Sequence, residues 1–541
     1  MSGVSTYRSP ELQAELRATG IWTRDTLPSR VAEHAASRPD ATAVIDGSDD
    51  RRISYAELWR DARAVAAFLR DRGVQAGDVV SVQLPSRYLT VAVDLGVLIA
   101  GAVLNPLLPN YRAHELRHVL AVARTKVLVT LITYRDFDHL GMARGLADEL
   151  PELATLITVG DGDAPGATRL EDIVRDVEPW DDPPARDATA LSELIFTSGT
   201  EAAPKAIMHT EETTNVSVRV TLDAMHIGAD DVIWMPSPVG HSTGLNFGVR
   251  LALYAGLTLV LQDRWDASRA AELIERERCS YTLAATTFLN DLVREVNEHP
   301  RDVTSMTRFG CGGAPVPPEL VNAASEVGIT VLRIYGSTEG LVITWNRNES
   351  PREKRTHTDG VALPLVEVEI RDDDDHVLPA GEPGEIHVRG PEVCIGFFDD
   401  PERMAKTFTA DAWLRSGDLG VLDDDGYLTI VGRKKEIIIR GGMNIAPREI
   451  EDLLCEMPGV RAAACIGLPD ERLGELVCAC LVTDHLVELD DVVAFLRSRE
   501  LATYKLPQAL RIVDAIPMTA SGKLRKTALR EQIVAGESTR P

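Results

Sequence analysis

Between Phe196 and Lys205 the chain reads FTSGTEAAPK. Thr197, Ser198, Gly199 and Thr200 place three hydroxyls and a side-chain-free backbone in consecutive positions, and Lys205 adds a cation shortly after. Hydroxyls, accessible backbone N–H groups and one ammonium are what a polyphosphate asks of a loop. The spacing is not that of a Walker A loop, and an ordinary polar turn can have the same composition. Weight therefore comes from the stretches nearer the C-terminus. RFGCGGAP ends in Gly313, Ala314 and Pro315, where glycines permit close approach of a ligand to the backbone. IYGSTEG contains Tyr335, Gly336, Thr338 and Glu339: an aromatic face for stacking, and a carboxylate suited to a hard cation shared with phosphate oxygens. Asp418 closes LRSGD, and a carboxylate there could accept two hydroxyl hydrogen bonds. Arg433 and Lys435 stand in GRKKE, Gly441 and Gly442 in RGGMNI, and Lys523 ends PMTASGK.

In type and order these stretches resemble the signatures of the adenylate-forming enzymes, which include acyl-CoA ligases, firefly luciferase and the adenylation domains of peptide synthetases. The resemblance spans nearly the whole chain. It implies that residues 197–200 and Lys205 hold ATP phosphates, that Gly313 to Pro315 run beside adenine and acyl group, and that Tyr335 in its Tyr335-Gly336 pair stacks on adenine. It further implies Thr338 on the α-phosphate, Glu339 as a Mg²⁺ ligand, Asp418 and Arg433 on the ribose, and Lys435 as a hinge. Gly441 and Gly442 would line the pantetheine tunnel, Lys523 would be the catalytic lysine, and His241, in PSPVGHSTGL, would gate the acyl pocket. ATP, Mg²⁺ and coenzyme A are the implied cofactors and co-substrates.

The implied reaction is two-step: acid and ATP give acyl-AMP and pyrophosphate, and a thiol then displaces AMP. The carboxylate is already an anion, so the first step needs charge suppression and alignment rather than a base. Tyr7-Arg8, Trp22-Thr23, Thr26-Leu27 and the His241 segment resemble cyclohexanecarboxylate and medium-chain acyl-CoA ligases most. Three alternatives remain open: an aryl-acid–AMP ligase loading a carrier protein, activation of an unusual acid such as nitrite in secondary metabolism, and a non-catalytic nucleotide-binding relative. The last draws on a departure: Glu201, Ala202 and Ala206 stand where the family usually has Thr, Gly and Gly. This loss of glycines bears on ATP affinity more than on reaction class.

A chain of 541 residues exceeds what one core usually supports. The expected division is 1–432, an N-terminal adenylate-forming domain, and 433–541, a C-terminal lid. The expected fold is α/β: a large domain of two βα-type sheets plus a small β-barrel at about 355–430, and a small mobile α+β domain. A net charge of −26 argues against nucleic acid or an anionic membrane as partner. The expected partners are a small carboxylic acid and CoA or a carrier protein, and a homodimer is compatible with the sequence. Seven cysteines form no CxxC pair, as in a reduced cytoplasmic protein, and Cys478 and Cys480 should share one strand face.

The elements that must position these residues alternate helix and strand through residue 190. The pattern predicts helices over Leu27–Arg38 (capped by Thr26), Tyr55–Gly73 and 89–104, with strands at 43–45, 79–84, 127–130 and 156–159. The apolar run 89–107 contains Asp94, Gly96, Gly101 and Asn105, which fits a core helix and not a membrane span. Helix is expected soon after Lys205, and strands at 231–235, 257–261 and 281–284. His114-Glu115-Leu116-Arg117-His118 matches HExxH, yet a bare five-residue pattern is weak, and a helix surface is the preferred reading.

Overall fold

The computed structural model describes residues 6–197, 204–440, 443–470, 472–499, 501–518 and 524–536. Ser198, Gly199, Thr200, Gly441, Gly442 and Lys523 lie outside these residues. Two large sheets carry the N-terminal part. One is eight-stranded, in the order Gly396–Phe397, Lys205–Thr210, Leu191–Thr197, Val103–Pro106, Val79–Val82, Thr125–Leu131, Thr155–Val159 and Thr168–Arg169. The other has nine strands, from Val361–Ala362 through Leu341–Trp345, Val331–Ser337 and Arg308–Cys311 to Thr42–Asp46 and Arg51–Ser54. Both interiors are parallel, and helices between the strands supply the crossovers.

Local chemistry explains the starts and stops. Thr26 caps Leu27–Ser37 in a reciprocal box with Ser29, and Ser54 does the same with Glu57 for Tyr55–Asp71. The helix expected over 89–104 ends at Ile99, and Val103–Pro106 is a strand between Val79–Val82 and Leu191–Thr197. Gly101, at φ +76°, turns the chain, and the buried Arg186 guanidinium satisfies the carbonyls of Leu98 and Ala102 at 3.1 and 2.9 Å. Likewise Lys205 opens a strand, and the helix begins only at Glu211, capped by Thr210. Ala206 is therefore a strand position, with its carbonyl taken by the Phe398 N–H at 2.9 Å. His114 and His118 sit on the helix Ala113–Val122; His114 is exposed and the Glu115 carboxylate accepts the Arg112 N–H at 3.0 Å as a cap.

The β subdomain expected near 355–430 is a four-stranded antiparallel sheet of Glu367–Arg371, Gly384–Arg389, Leu414–Leu422 and Leu428–Arg433. After the 3₁₀ turn Lys434–Glu436, a separate five-stranded sheet and three helices build the small lobe around its own core, which includes Ile438, Ile450, Val477 and Leu496. Cys478 and Cys480 do share one face, their Sγ atoms 4.0 Å apart. Cys455 alone of the seven thiols is exposed. Among the described residues no helix is long and apolar enough to cross a membrane.

Candidate active site

The ends of both large sheets meet at the turn after Val331–Ser337. Lys205 and His209 lie on the same face of their strand, and both reach this turn. Lys205 Nζ pairs with the Glu339 carboxylate. His209 Nε2 donates to the Thr338 carbonyl at 2.8 Å, and burial lowers its pKa, which keeps the imidazole neutral. Burial opposes a charge on Glu339, but the Lys205 charge and hydrogen bond outweigh it and hold the pKa below the ordinary carboxylate value. Thr197, at the end of the neighbouring strand, has a buried hydroxyl with no partner among the described residues. It stands across from Lys205 in the register.

Two cavities open from this point and share Gly313, Ile334 and Gly336 as walls. The first has a cavity volume of about 80 Å³ and contains His241, Phe247, Phe288, Thr338 and Val342 in its lining. Among the described residues that line it there is no Lys, Arg, Asp or Glu. One wall is the wide helical turn Leu245–Arg250, a π-helix. Behind it, Arg250 is fully buried and pairs with Glu193 at 2.6 Å and Glu211 at 2.7 Å, while Asn246 donates to Glu193 at 3.0 Å. This buried network anchors the turn that carries Phe247.

The second cavity, of about 150 Å³, is charged. Tyr335 donates its hydroxyl to Asp418 at 2.9 Å, and Arg433 pairs with the other Asp418 oxygen at 3.0 Å. Burial, and then the Asp418 charge, push the Tyr335 phenol well above its ordinary range, so it stays a donor. Gly336 is required by close approach: a Cβ there would stand 2.1 Å from the Leu341 carbonyl oxygen. Ala314 and Pro315 line the same cavity. The far wall comes from the small lobe, where Leu524 pairs antiparallel with Met518 and lines the cleft. Lys523 is the preceding residue and lies outside the described residues. Lys435 is exposed and lies in the turn between the lobes.

Three participants escape a reading of the sequence. Asp359 lines the charged cavity, held by Arg333 at 2.9 Å and by the Ile430 N–H at 3.0 Å. Lys526 joins Glu451 at 2.8 Å and Glu436 at 3.0 Å on the small-lobe side. His209 could have been suspected from the period-two pattern Lys205, Ile207, His209.

The AMP-binding enzyme family model matches residues 31–398, and the AMP-binding enzyme C-terminal domain model matches 449–523. The chain belongs to the AMP-binding enzyme family. Among its relatives, the medium-chain fatty-acid–CoA ligase of Escherichia coli is 34% identical over 526 residues, covering 96% of this chain and 93% of that protein. The 2,3-dihydroxybenzoate-AMP ligase of Bacillus subtilis is 31% identical, with 97% and 96% covered. ATP-bound MatB from Rhodopseudomonas palustris superimposes with a TM-score of 0.85 at 30% identity, over 94% of this chain and 99% of that one. The apo form of MatB superimposes at 0.75. In this enzyme Leu524 and Lys526 of the small lobe line the charged cleft.

Proposed function

We propose that the chain activates a carboxylic acid with ATP, releasing pyrophosphate, and passes the acyl group from the adenylate to CoA, releasing AMP. The observation that carries this reading is the junction of an uncharged pocket and a charged cleft at Gly313, Ile334 and Gly336. An acid in the first would meet a nucleotide in the second at the Thr338–Glu339 turn. Tyr335 would stack on adenine, Asp418 and Arg433 would hold the ribose, and Thr338 the α-phosphate. Lys205, with Thr197 and the 198–200 hydroxyls and N–H groups, would take the remaining phosphates. The buried Glu339 carboxylate fits Mg²⁺, which commonly takes one or two protein carboxylates beside phosphate oxygens. When bound, the ion would offset phosphate charge.

We place the lobe boundary at 432/433 with Lys435 as hinge. Lys523 would serve adenylation, and closure would then exchange it for Gly441 and Gly442, which would line the path of the pantetheine thiol. His241 would gate the acid pocket; its place in the lining of the uncharged cavity supports this role. The absence of formal charge among the described lining residues favours an acid with an uncharged tail, because a second carboxylate would be left unpaired.

The test is acid-dependent ATP–pyrophosphate exchange across alkyl, alicyclic, aryl and dicarboxylic acids and nitrite, followed by a thioester assay with CoA. Exchange with thioester formation is the expected result. Exchange without a CoA thioester would point to a carrier protein or another acceptor, and silence toward every acid to a non-catalytic relative.

A further inference from the structure

Residues 390–398 form a strap across the phosphate end of the site. On one side the Cys394 N–H donates to the Glu339 carbonyl at 2.7 Å. On the other, the Ile395 and Phe398 N–H groups donate to the carbonyls of Met208 and Ala206, each at 2.9 Å, and Gly396–Phe397 pairs with the strand Lys205–Thr210. The Phe397 ring centroid lies 6.0 Å from Lys205 Nζ. The strap thus holds Glu339 by its own carbonyl and Lys205 through the next residues of its strand, Ala206 to Met208.

What holds the strap is the N-terminal arm. Arg8 is 4% exposed; its Nη2 donates to the carbonyls of Gly390 at 2.8 Å and Val393 at 2.7 Å, and Nη1 to that of Cys394 at 3.4 Å. Trp22 Nε1 donates to the Pro391 carbonyl at 3.0 Å. The Tyr7 and Trp22 ring centroids lie 4.8 and 5.4 Å from the guanidinium carbon, and Tyr7 stacks on Phe408 at 3.7 Å. Glu392, within the strap, is 3% exposed, and its carboxyl lies against Gly390. A planar guanidinium can bind several carbonyls at once; a lysine ammonium in its place would lose that fork.

We propose that Arg8 is a positioning residue for adenylation: by gripping the carbonyls of the strap it sets the Lys205–Glu339 pair against the nucleotide phosphates. The proposal rests on the ligase reading above. Arg8 touches no substrate, so its effect is geometric, and a misplacement of about 1 Å can cost roughly 10²-fold in rate.

The experiment compares wild type with Arg8→Lys and, as a gentler lesion of the same strap, Trp22→Phe. Four quantities are read: exchange rate against Mg²⁺ concentration, thioester formation from supplied acyl adenylate, Mg²⁺·ATP affinity by calorimetry, and Tm. For Arg8→Lys the expected results are exchange down about 10- to 100-fold, a higher Mg²⁺ requirement, weaker Mg²⁺·ATP binding, and transfer from the adenylate nearly unchanged. Trp22→Phe should show the same pattern with smaller amplitude. Unchanged exchange, or equal losses in both half-reactions that follow a fall in Tm, would overturn the positioning role. Wild-type silence toward every acid would sink the ligase reading instead. In that event, unaltered Mg²⁺·ATP affinity in Arg8→Lys would still refute the role of Arg8.

Discussion

The two cavities that meet at Gly313, Ile334 and Gly336 obey opposite rules. The acid pocket has no Lys, Arg, Asp or Glu among its described lining residues, and its buried charges, Arg250 with Glu193 and Glu211, lie behind the wall and pair with one another. The other cavity faces its ligand with charges in small groups: Asp418 with Arg433, Asp359 with Arg333, and Lys526 with Glu436 and Glu451. On the proposed reading, the molecule would sort two substrates by electrostatics before any chemistry. An uncharged wall leaves a second anion unpaired, while paired charges can exchange partners for phosphate and ribose at little desolvation cost.

The most damaging way to break this contrast is to unpair the junction. Lys205→Met leaves the buried Glu339 carboxylate without its cation, so its pKa should rise and its hold on Mg²⁺ should weaken. ATP–pyrophosphate exchange should fall about 10²- to 10³-fold, the usual cost of removing one such charged contact. Thioester formation from supplied adenylate should fall far less. Comparable losses in both half-reactions would mean that the pair serves the fold rather than the phosphates.

Next in size is a charge placed where the pocket has none. Thr243 lines the acid pocket and is only half-buried, so Thr243→Arg should fold. It should lower kcat/KM for hydrocarbon-tailed acids by about 10-fold or more and raise it for dicarboxylic acids, consistent with roughly 1–3 kcal/mol for an unmatched polar group. A variant that leaves the ranking of acids untouched would show that the acid tail binds elsewhere.

This contrast also marks how much could be read from the chain. Part of the charged side was legible because its groups sit in short motifs: Tyr335 with Gly336, Asp418 and Arg433. The uncharged side was legible only in part, at the segment around His241 and at Gly313. Phe247 reaches the pocket from a helical turn whose sequence reads as core, and the anchoring Glu193, Glu211 and Arg250 are charged residues, which a pattern reading assigns to the surface. Local rules also lost to tertiary ones twice. Val103 and Leu104 continue an apolar helix by composition but complete a parallel sheet between two strands. Met208 and His209 look like the start of a helix, yet pair with Leu194 and Glu193. Asp359 carried no motif at all; its role depends on Arg333 and Ile430 arriving from two other strands.

A smaller effect sharpens the charged side. Tyr335→Phe keeps the ring and removes only the 2.9 Å hydrogen bond to Asp418. Losing one hydrogen bond to a charged acceptor costs about 1.5–3 kcal/mol at most, and less where solvent substitutes. The KM for ATP should therefore rise a few-fold to about 10-fold, with little change in kcat. A fall in kcat at unchanged KM would instead place the phenol near the reacting phosphate.

The finest test asks whether pairing is what keeps a buried acid charged here. Glu392 lies beside the same end of the site as Glu339 but has no cation bonded to its carboxyl among the described residues. Burial pushes its pKa up to about 8, with Arg8 only partly offsetting this, whereas Glu339, bonded to Lys205, is held low. An unfolded glutamate releases its proton near 4.5, so between that pH and about 8 the folded state binds the extra proton. Stability from this group is therefore complete below pH 4.5 and lost as pH rises through about 8. Glu392→Gln mimics the protonated form at every pH. Measured by denaturant unfolding, it should match or fall slightly below wild type near pH 5 and gain on it toward pH 8, by on the order of 1–3 kcal/mol. A difference independent of pH would mean that Glu392 is charged throughout, and that burial in this molecule does not demand a partner.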